Sequence, residues 1–467
     1  MFKYLKDIRF WIILLFLVRL VNVTNPPLEV SHNWRQTTVT MVARNFLEVD
    51  NNIFYPRIDI AGDKTGITGM EFPLFNYLIY LTSTVFGYSH WYGRLINLIV
   101  SSFGIWYFFL LIRKFFKEKT AFYASFILLA SIWFSFSRKI MPDTFSMSLI
   151  IASIYYGTNY FEDKSLKSNI VNIFLYMILL ILGSLSKIPS VYLLVVFALF
   201  IFNKKIILKN KIVFILASVI SILPAYWWYY KWVPYLVNEY RFWHFFMGKD
   251  FSIAFKEILN NIPLTLKRFY DTALKYFGFT LFIYGFYQAV KLKNSKLLLI
   301  FTLGFLSFLL IIFKSGFTFF HHNYYIIPFV PVMALVAGYG LSKIKNQTVV
   351  ILFMTAVFFE GTLNQHNDFV IHKKNYELLN LENDLDKFSS KNDLILINSG
   401  DFPTPMYFAH RKGWVLSNDR ISKSKKIKDL QSKKLKYIVI LKKTFGSEIK
   451  LDFTIVFEND NYTIYKL

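Results

Sequence analysis

The length, composition and charge of the chain exclude a soluble globular protein. Of its 467 residues, 55% are hydrophobic and 20% are aromatic, and the mean hydropathy is +0.40. Several runs approach the roughly twenty apolar residues that cross a bilayer, so we expect an integral membrane protein. The formal net charge of +24 is distributed between the apolar runs, which indicates anionic membrane lipids and phosphates as partners and not nucleic acid. The absence of cysteine excludes disulfides and thiol catalysis.

Apolar runs predict eleven membrane-spanning helices. A cytoplasmic N-terminus places most lysines and arginines in the inner loops, as the positive-inside rule requires. We therefore expect a multi-pass protein of the cell inner (cytoplasmic) membrane with an extracytoplasmic C-terminal domain. Arg19, inside the first helix, is expected to snorkel outward. The predicted helices lie near residues 10–24, 93–112, 119–136, 144–161, 170–186, 188–203, 211–228, 273–290, 297–313, 324–342 and 347–363.

Two large parts of the chain outside these helices are predicted to face the outer side of the membrane. One is the first loop, residues 25–92, and the other begins after residue 364; the segment 229–272 lies on the same side. Within the first loop, the apolar stretch from Phe75 to Phe86 is too short to span a bilayer. We interpret it as an interfacial or re-entrant helix.

The tail, residues 365–467, loses the long apolar runs and predicts a small soluble α/β domain. A Lys-rich pattern from Ser422 to Lys434 is typical of a helix, and short β-branched and aromatic runs are typical of strands. The predicted fold class is an α-helical polytopic membrane protein over residues 1–364 with a C-terminal extracytoplasmic α/β domain. The strands are predicted at Leu394–Asn398, Tyr437–Leu441, Thr454–Glu458 and Tyr462–Tyr465.

Glu71 is the first candidate for chemistry. It lies where the polar first loop becomes apolar and aromatic, in Gly69-Met70-Glu71-Phe72-Pro73-Leu74-Phe75-Asn76-Tyr77. We expect its carboxylate at the membrane surface, half desolvated, where neighbours shift its pKa. The alternative is that Glu71 only caps the apolar segment that follows it.

Asp143 is the second candidate. It follows Ser137-Arg138-Lys139-Ile140-Met141-Pro142, and Pro142 marks the break before the fourth helix. Asp143 then lies at the start of that helix, where the helix dipole favours its negative charge. Capping of the helix is by itself a sufficient explanation for an aspartate at this position. Asp143 and Glu71 are, however, predicted on one side of the membrane beside basic residues. Such carboxylates accept a proton from an acceptor while the cations hold a phosphate leaving group.

At these residues the chain resembles the C superfamily of glycosyltransferases, in particular the bacterial relatives of the protein O-mannosyltransferases and of the lipid A aminoarabinose transferase. The resemblance extends nearly from end to end. Its motifs here are Tyr55-Pro56-Arg57, Gly62, Gly69, Glu71-Phe72-Pro73-Leu74-Phe75-Asn76-Tyr77, Pro142-Asp143, Ser186-Lys187-Ile188-Pro189, His321-His322-Asn323-Tyr324-Tyr325 with Pro328 and Pro331, and Met406-Tyr407-Phe408-Ala409-His410-Arg411-Lys412-Gly413-Trp414.

Two positions depart from the family pattern. Where much of the family has an acid after the first helix, this chain has His32-Asn33-Trp34-Arg35-Gln36. The catalytic base is therefore open between Asp59, Glu71 and Asp143. Phe72 stands where relatives often have a lysine, and Arg35, Arg57 or Arg138 can supply that charge, since guanidinium groups bind phosphate oxygens in pairs.

The resemblance implies a glycosyltransferase that moves a sugar from a polyprenyl-phosphate donor to an acceptor hydroxyl with inversion. It implies an isoprenoid held between helices and a glycan, lipid or protein as the acceptor. No cofactor or metal is expected, because a lipid phosphate is a fair leaving group. The residues expected to contact the donor phosphate are Arg35, Arg57, Arg138, Lys187, His321, His322 and Tyr324.

Two other classes of membrane protein remain open. A polysaccharide polymerase or ligase uses the same kind of donor, but we would expect its large outer loop late in the chain. A flippase or transporter of lipid-linked glycans would place polar residues and broken helices at the middle of the bilayer. Here most ionisable residues are predicted near the outer surface instead.

The predicted orientation can be tested with reporter fusions. Fusions after Lys205 and Lys293 should report the cytoplasm, while fusions after Lys249 and at the C-terminus should report the outside, because eleven spans and the distribution of lysines require it. A cytoplasmic C-terminus would contradict the predicted topology.

Overall fold

The computed structural model describes residues 4–162, 165–244, 248–445 and 449–467. Among the described residues, the chain is mainly helical up to residue 366, with non-helical stretches at 21–32 and 49–73, and it is mixed α/β beyond that point. Its contacts form two compact units. Unit 1 contains residues 1–23, 94–229 and 246–366, and unit 2 contains residues 24–93, 230–245 and 367–467.

The long α-helices before the tail, except Asn33–Glu48, begin and end close to the predicted apolar runs. They are α1 (Ile8–Leu20), α2 (Asn33–Glu48), α3 (Leu74–Phe86), α4 (Tyr92–Phe115), α5 (Glu118–Ala130), α6 (Trp133–Phe136), α7 (Pro142–Glu162), α8 (Leu166–Ser186), α9 (Ala198–Ile201), α10 (Leu208–Trp227), α11 (Val233–Tyr240), α12 (Phe251–Leu259), α13 (Ile262–Lys267), α14 (Lys275–Lys291), α15 (Ser295–Ser315), α16 (Phe317–His321), α17 (Val330–Lys343) and α18 (Gln347–Leu363). The tail adds α19 (Leu381–Leu385), α20 (Thr404–Ala409), α21 (Asn418–Ile421) and α22 (Ser424–Gln431).

Within the described residues, six helical stretches are long and apolar enough to cross a membrane. The multi-pass helical architecture is thereby confirmed, whereas eleven spans stay a prediction. Tight 3₁₀ turns break some apolar runs, as at Ile188–Phe197 and at Asn323–Phe329, where prolines remove helical hydrogen bonds. The six stretches are Tyr92–Phe115, Leu166–Ser186, Leu208–Tyr240, Ser295–Ser315, Asn323–Lys343 and Gln347–Phe369.

Helix α17 is the buried centre of unit 1. It packs against α5 and α14, and its residues from Val330 to Leu341 are buried. Gly285 of α14 and Gly340 of α17 face each other so closely that a Cβ atom on either would meet the backbone of the other helix. Small residues therefore let the two helices pack closely. This packing stabilises their association, because apolar surroundings provide no hydrophobic driving force for it.

Arg19 corrects one sequence prediction, because it does not snorkel outward. Its side chain is only 1% exposed, since α1 packs against α5 and turns this position inward. Its Nε donates to the carbonyl of Leu15 at 2.8 Å, and a second nitrogen donates to the hydroxyl of Ser137. The hydrogen bonds satisfy part of a charge that is costly to bury.

Helix α2 lies inside the segment that the sequence predicts as a polar loop. Its buried residues mix polar side chains with apolar ones such as Met41, Val42 and Phe46, so the sequence shows no clear apolar period. The hydroxyls of Thr37, Thr38 and Thr40 donate to carbonyls one turn earlier at 2.9, 2.8 and 2.6 Å. Threonine can be buried in this helix because its hydroxyl finds a partner within the helix itself.

The tail of unit 2 forms one five-stranded sheet in the order β2-β1-β3-β5-β4. Strands β2, β1 and β3 are parallel, and β5 and β4 pair antiparallel beside them. All four predicted strands are present, and the sequence missed only the three-residue strand β2. The strands are β1 (Leu394–Ile397), β2 (Gly413–Val415), β3 (Leu435–Leu441), β4 (Thr454–Glu458) and β5 (Tyr462–Lys466).

Unit 2 joins the first loop and the tail in one core. Arg44 of α2 binds the carboxylate of Asp59 at 3.0 Å and the carbonyl of Tyr407 at 2.9 Å. The carbonyl of Asp59 accepts from the amide of Gly413 at 2.9 Å. Gly62 has a φ of +65° and lies against the Trp414 ring, where no larger residue fits. The division into a membrane domain, 1–364, and an outer domain, 365–467, remains a prediction.

His410 links two carboxylates within unit 2. Its Nε2 lies 2.7 Å from Glu48 and its Nδ1 lies 2.6 Å from Glu382. Burial opposes a charge on the imidazole, but hydrogen bonds to Glu382 and Glu48 outweigh burial and raise the pKa of His410. The hydrogen bond from His410 lowers the pKa of Glu382 to about 2. Both shifts favour the charged pair in the folded state.

These pKa shifts predict a pH window for the stability of unit 2. The contribution of His410 is complete below its unfolded pKa of about 6.5 and is lost as the pH rises through the higher folded value. The contribution of Glu382 is complete above its unfolded pKa, 4.5, and is lost as the pH falls towards about 2. His410→Asn, which tolerates the left-handed backbone at φ +48°, should lower the unfolding temperature more at pH 5.5 than at pH 9.

The measurement is thermal unfolding of the intact, solubilised protein at both pH values. His372→Asn is the matched control, because His372 is exposed in the same unit. An equal loss of stability by the His410 variant at both pH values would contradict a charged link.

Candidate active site

Asp143 lies in the first turn of a helix, where the helix dipole stabilises a buried negative charge. Pro142 occupies the first position of α7, where its missing N–H costs nothing, and Asp143 follows in the first turn. Asp143 is 3% exposed. Its Oδ1 lies 2.5 Å from the Nζ atom of Lys187. Its Oδ2 is buried and has no hydrogen-bond partner among the described residues, so one acceptor oxygen of this carboxylate is not used by the fold.

Lys187 is positioned by the end of α8. Its amide donates to the carbonyl of Gly183 at 3.1 Å, after which the backbone becomes extended. The hydroxyl of Ser146, one turn after Asp143, donates to the carbonyl of Gly183 at 2.8 Å and lies 2.9 Å from the hydroxyl of Ser190. The helix that carries Asp143 therefore also fixes the backbone on both sides of Lys187.

Tyr324 forms the other side of the Lys187 site. The Nζ atom of Lys187 lies 4.9 Å from the centre of the Tyr324 ring, within cation–π range. The His322 ring stacks on Tyr324 with ring centres 5.4 Å apart. His321 is exposed and lies against Phe317. The structure thus brings Lys187, Tyr324 and His322 together, and it gives His321 a different neighbour.

Arg138 and the turn before Asp143 are held by residues that the sequence analysis missed. The side-chain amide of Asn97 donates to the carbonyls of Phe136 and Lys139 at 2.9 and 2.8 Å. Arg138 is nearly buried and donates to the carbonyl of Asn22 at 2.9 Å. An asparagine in an apolar helix is a sequence signal that could have identified this support, because a buried amide needs partners.

Glu71 pairs with Arg35 within unit 2. One guanidinium nitrogen of Arg35 binds Oε1 of Glu71, and both side chains are largely buried. Arg35 belongs to the first turn of α2. The N-cap of α3 is Pro73, without a side-chain capping bond. One partner of Glu71 is therefore a cation.

His244 lies near this pair and was not identified from the sequence. The preceding residue, Trp243, forms a bridge with Gly69, two positions before Glu71. Burial and repulsion from Arg35 lower the pKa of His244 to about 4, while Glu71 opposes the shift. The imidazole is therefore neutral near pH 7 and can accept or donate a hydrogen bond. Its long sequence distance from Glu71 left no local pattern to find.

Asp59 and Arg57 are engaged in the fold of the first loop. The Oδ1 of Asp59 accepts from Asn45 at 2.8 Å, and its Oδ2 accepts from Arg44 at 3.0 Å. Arg57 binds Asp50 at 2.9 Å. A hydrogen bond from the amide of Asn52, together with Arg57, lowers the pKa of Asp50.

In the part of the chain that is described, no three His, Asp or Glu side chains lie close enough together to hold a metal ion.

The chain is similar in fold to solved structures of other proteins. ArnT from Cupriavidus metallidurans, in its structure bound to undecaprenyl phosphate, matches with a TM-score of 0.62 and 11% identity over 98% of each chain. Residues 70–230 match the family described as dolichyl-phosphate-mannose-protein mannosyltransferase. The predicted resemblance to the C superfamily of glycosyltransferases is confirmed. Comparison with curated protein sequences gives no match.

A second solved structure is also similar in fold. The archaeal oligosaccharyltransferase AglB from Archaeoglobus fulgidus, in complex with an inhibitory peptide and a dolichol-phosphate, matches with a TM-score of 0.57 and 13% identity. The match covers 93% of this chain and 69% of AglB. The predicted fold class, a polytopic helical protein with a small C-terminal sheet, is therefore confirmed. The family match includes the positions of Glu71, Asp143 and Lys187.

Proposed function

We propose that the chain is a glycosyltransferase that moves a sugar from a polyprenyl-phosphate donor to an acceptor hydroxyl. The observation that carries the proposal is the Asp143 carboxylate, which has one oxygen on the Lys187 ammonium and one oxygen without a partner among the described residues. A base and a cation side by side are what transfer from a phosphate requires. The polyprenyl phosphates bound in the ArnT and AglB structures support this class of donor.

In the proposed reaction, Asp143 acts as the general base. The acceptor oxygen attacks the anomeric carbon while its proton moves to the carboxylate of Asp143. The bond between the anomeric carbon and the phosphate oxygen breaks, and its electron pair stays on the phosphate. Attack from the side opposite the leaving group inverts the configuration. Lys187 stabilises the charge that develops on the phosphate, with Tyr324, His322 and Arg138 as further candidates for phosphate contact.

Glu71 and Arg35 form the second candidate pair for the same two roles. Their ion pair is also largely buried, and Arg35 presents a guanidinium suited to phosphate oxygens. We assign Asp59 and Arg57 a positioning role in the first loop, because both Asp59 oxygens are bound by Arg44 and Asn45. His321 is retained only as an alternative phosphate contact.

The proposed location is the inner (cytoplasmic) membrane, with the site open to the outer side. The acceptor is a glycan, a lipid or a protein with an accessible hydroxyl. The positive-inside distribution of lysines supports this orientation. The long apolar helices support a donor whose isoprenoid chain lies in the membrane.

Transfer should depend on the charge of Asp143. Asp143→Asn keeps the volume but removes the base, so the surface-glycan product of the strain should fall about a hundredfold or more while the protein still inserts. The same product should fall by a similar factor in the Glu71→Gln variant if Glu71 shares the role of base. The measurement is mass spectrometry of envelope glycans in a deletion strain that carries each variant.

Glu162→Gln is the matched control. Glu162 ends the same helix, α7, and also pairs with a lysine, Lys114, at 2.7 Å. It should leave the product unchanged. Wild-type levels of product from both the Asp143 and the Glu71 variants would refute the catalytic assignment.

A further inference from the structure

Asp143 cannot act as a base in the arrangement that the structure shows. A general base must come within about 2.6–3.2 Å of the proton that it removes. Asp143 is 3% exposed, and its unpartnered Oδ2 has no contact with solvent. An acceptor hydroxyl therefore reaches this oxygen only if a neighbouring side chain moves.

Lys187 is the neighbour best suited to move. Its side chain is 12% exposed, compared with 3% for that of Asp143, and it ends in a flexible four-carbon stem. Its backbone is fixed at Gly183 and next to Ser190, so movement is confined to the side chain. The Tyr324 ring, 4.9 Å from Nζ, gives the ammonium a favourable surface as it leaves the carboxylate.

We propose that Lys187 caps Asp143 until the phosphate of the donor draws the ammonium away. The inference rests on the proposed function, since it requires a lipid phosphate as ligand. Phosphate and carboxylate compete for one ammonium, so donor binding breaks the contact with Asp143 and forms a contact with the phosphate. The base then becomes accessible only when a donor is present, and Lys187 keeps all three of its protons throughout.

The Lys187 ammonium has an anionic partner in each state. Without donor, that partner is Asp143, and the pair is buried where an unpaired charge is costly. With donor, the partner is the phosphate, and the Asp143 carboxylate, now without its cation, binds the acceptor proton more strongly. When the acceptor proton arrives on Asp143, the sugar–phosphate bond breaks and the phosphate gains the electron pair next to the ammonium. If Asp143 took up a proton without donor, the Lys187 ammonium would be left buried and unpaired. Protonation of Asp143 is therefore disfavoured until the donor binds.

Binding of undecaprenyl phosphate to variants in lipid nanodiscs tests the cap. Asp143→Asn removes the competitor for the ammonium, so we expect binding about tenfold tighter than in the wild-type protein. Lys187→Met removes the ammonium and should weaken binding. In the Lys187→Met background, Asp143→Asn should change affinity less than twofold. Simple repulsion between Asp143 and the phosphate would instead give the same tightening in both backgrounds, and that result would overturn the cap.

Two further variants keep the test decisive. Lys187→Arg preserves a cation if the Met variant fails to insert, and Asp143→Asn should still tighten binding in that background. Glu162→Gln, which removes a paired carboxylate at the other end of α7, should leave affinity unchanged. Unchanged or weaker binding by Asp143→Asn alone would overturn the cap while leaving the proposed function standing. Absence of undecaprenyl phosphate binding in the wild-type protein would overturn the proposed function and the cap together.

Discussion

The ion pair between Asp143 and Lys187 is the constraint on which the chemistry proposed for unit 1 depends. A charge buried among apolar helices costs several kcal/mol unless another charge or a set of hydrogen bonds compensates it. The pair joins the start of α7 to the end of α8, and Ser146 ties the same two segments by hydrogen bonds. The packing of these helices is therefore tied to the site. Among the residues that the structure describes, only one oxygen of Asp143 has a partner, and this is the feature from which we propose that its carboxylate acts as a base.

The same constraint organises unit 2 around Arg44. Its guanidinium binds Asp59 and the carbonyl of Tyr407, and it lies 4.6 Å from the centre of the Tyr407 ring. The first loop and the tail therefore share one core. More than 300 residues of the chain separate Asp59 from Tyr407, yet both belong to one folded unit, in which Gly62 packs on Trp414.

Much of the fold follows from the sequence because its signals are local. Long apolar runs predict helices, and alternating β-branched and aromatic residues predict four of the five strands. The motif Pro142-Asp143 marks a helix start for the same reason, since proline fixes the backbone of the first turn. Strand β2 escaped prediction because three residues give too short a pattern.

The remaining features depend on contacts between distant residues. Helix α2 buries polar residues beside apolar ones, so its hydrophobic pattern is weak in the sequence. Arg19 is satisfied by Ser137, which lies 118 positions away. His244 approaches Arg35 and Glu71 only through the folded chain. Motifs did indicate Asp143, Lys187 and Tyr324, but not that Lys187 would cover the carboxylate.

Native mass spectrometry of the wild-type protein, released directly from its own membrane, tests the central claim most directly. A protein that uses a polyprenyl-phosphate donor should retain a lipid whose mass is that of a polyprenyl phosphate or its sugar conjugate. We expect this lipid on the purified protein in preference to ordinary phospholipids. Retention of phospholipids alone, even after addition of excess polyprenyl phosphate, would contradict a lipid-phosphate glycosyltransferase.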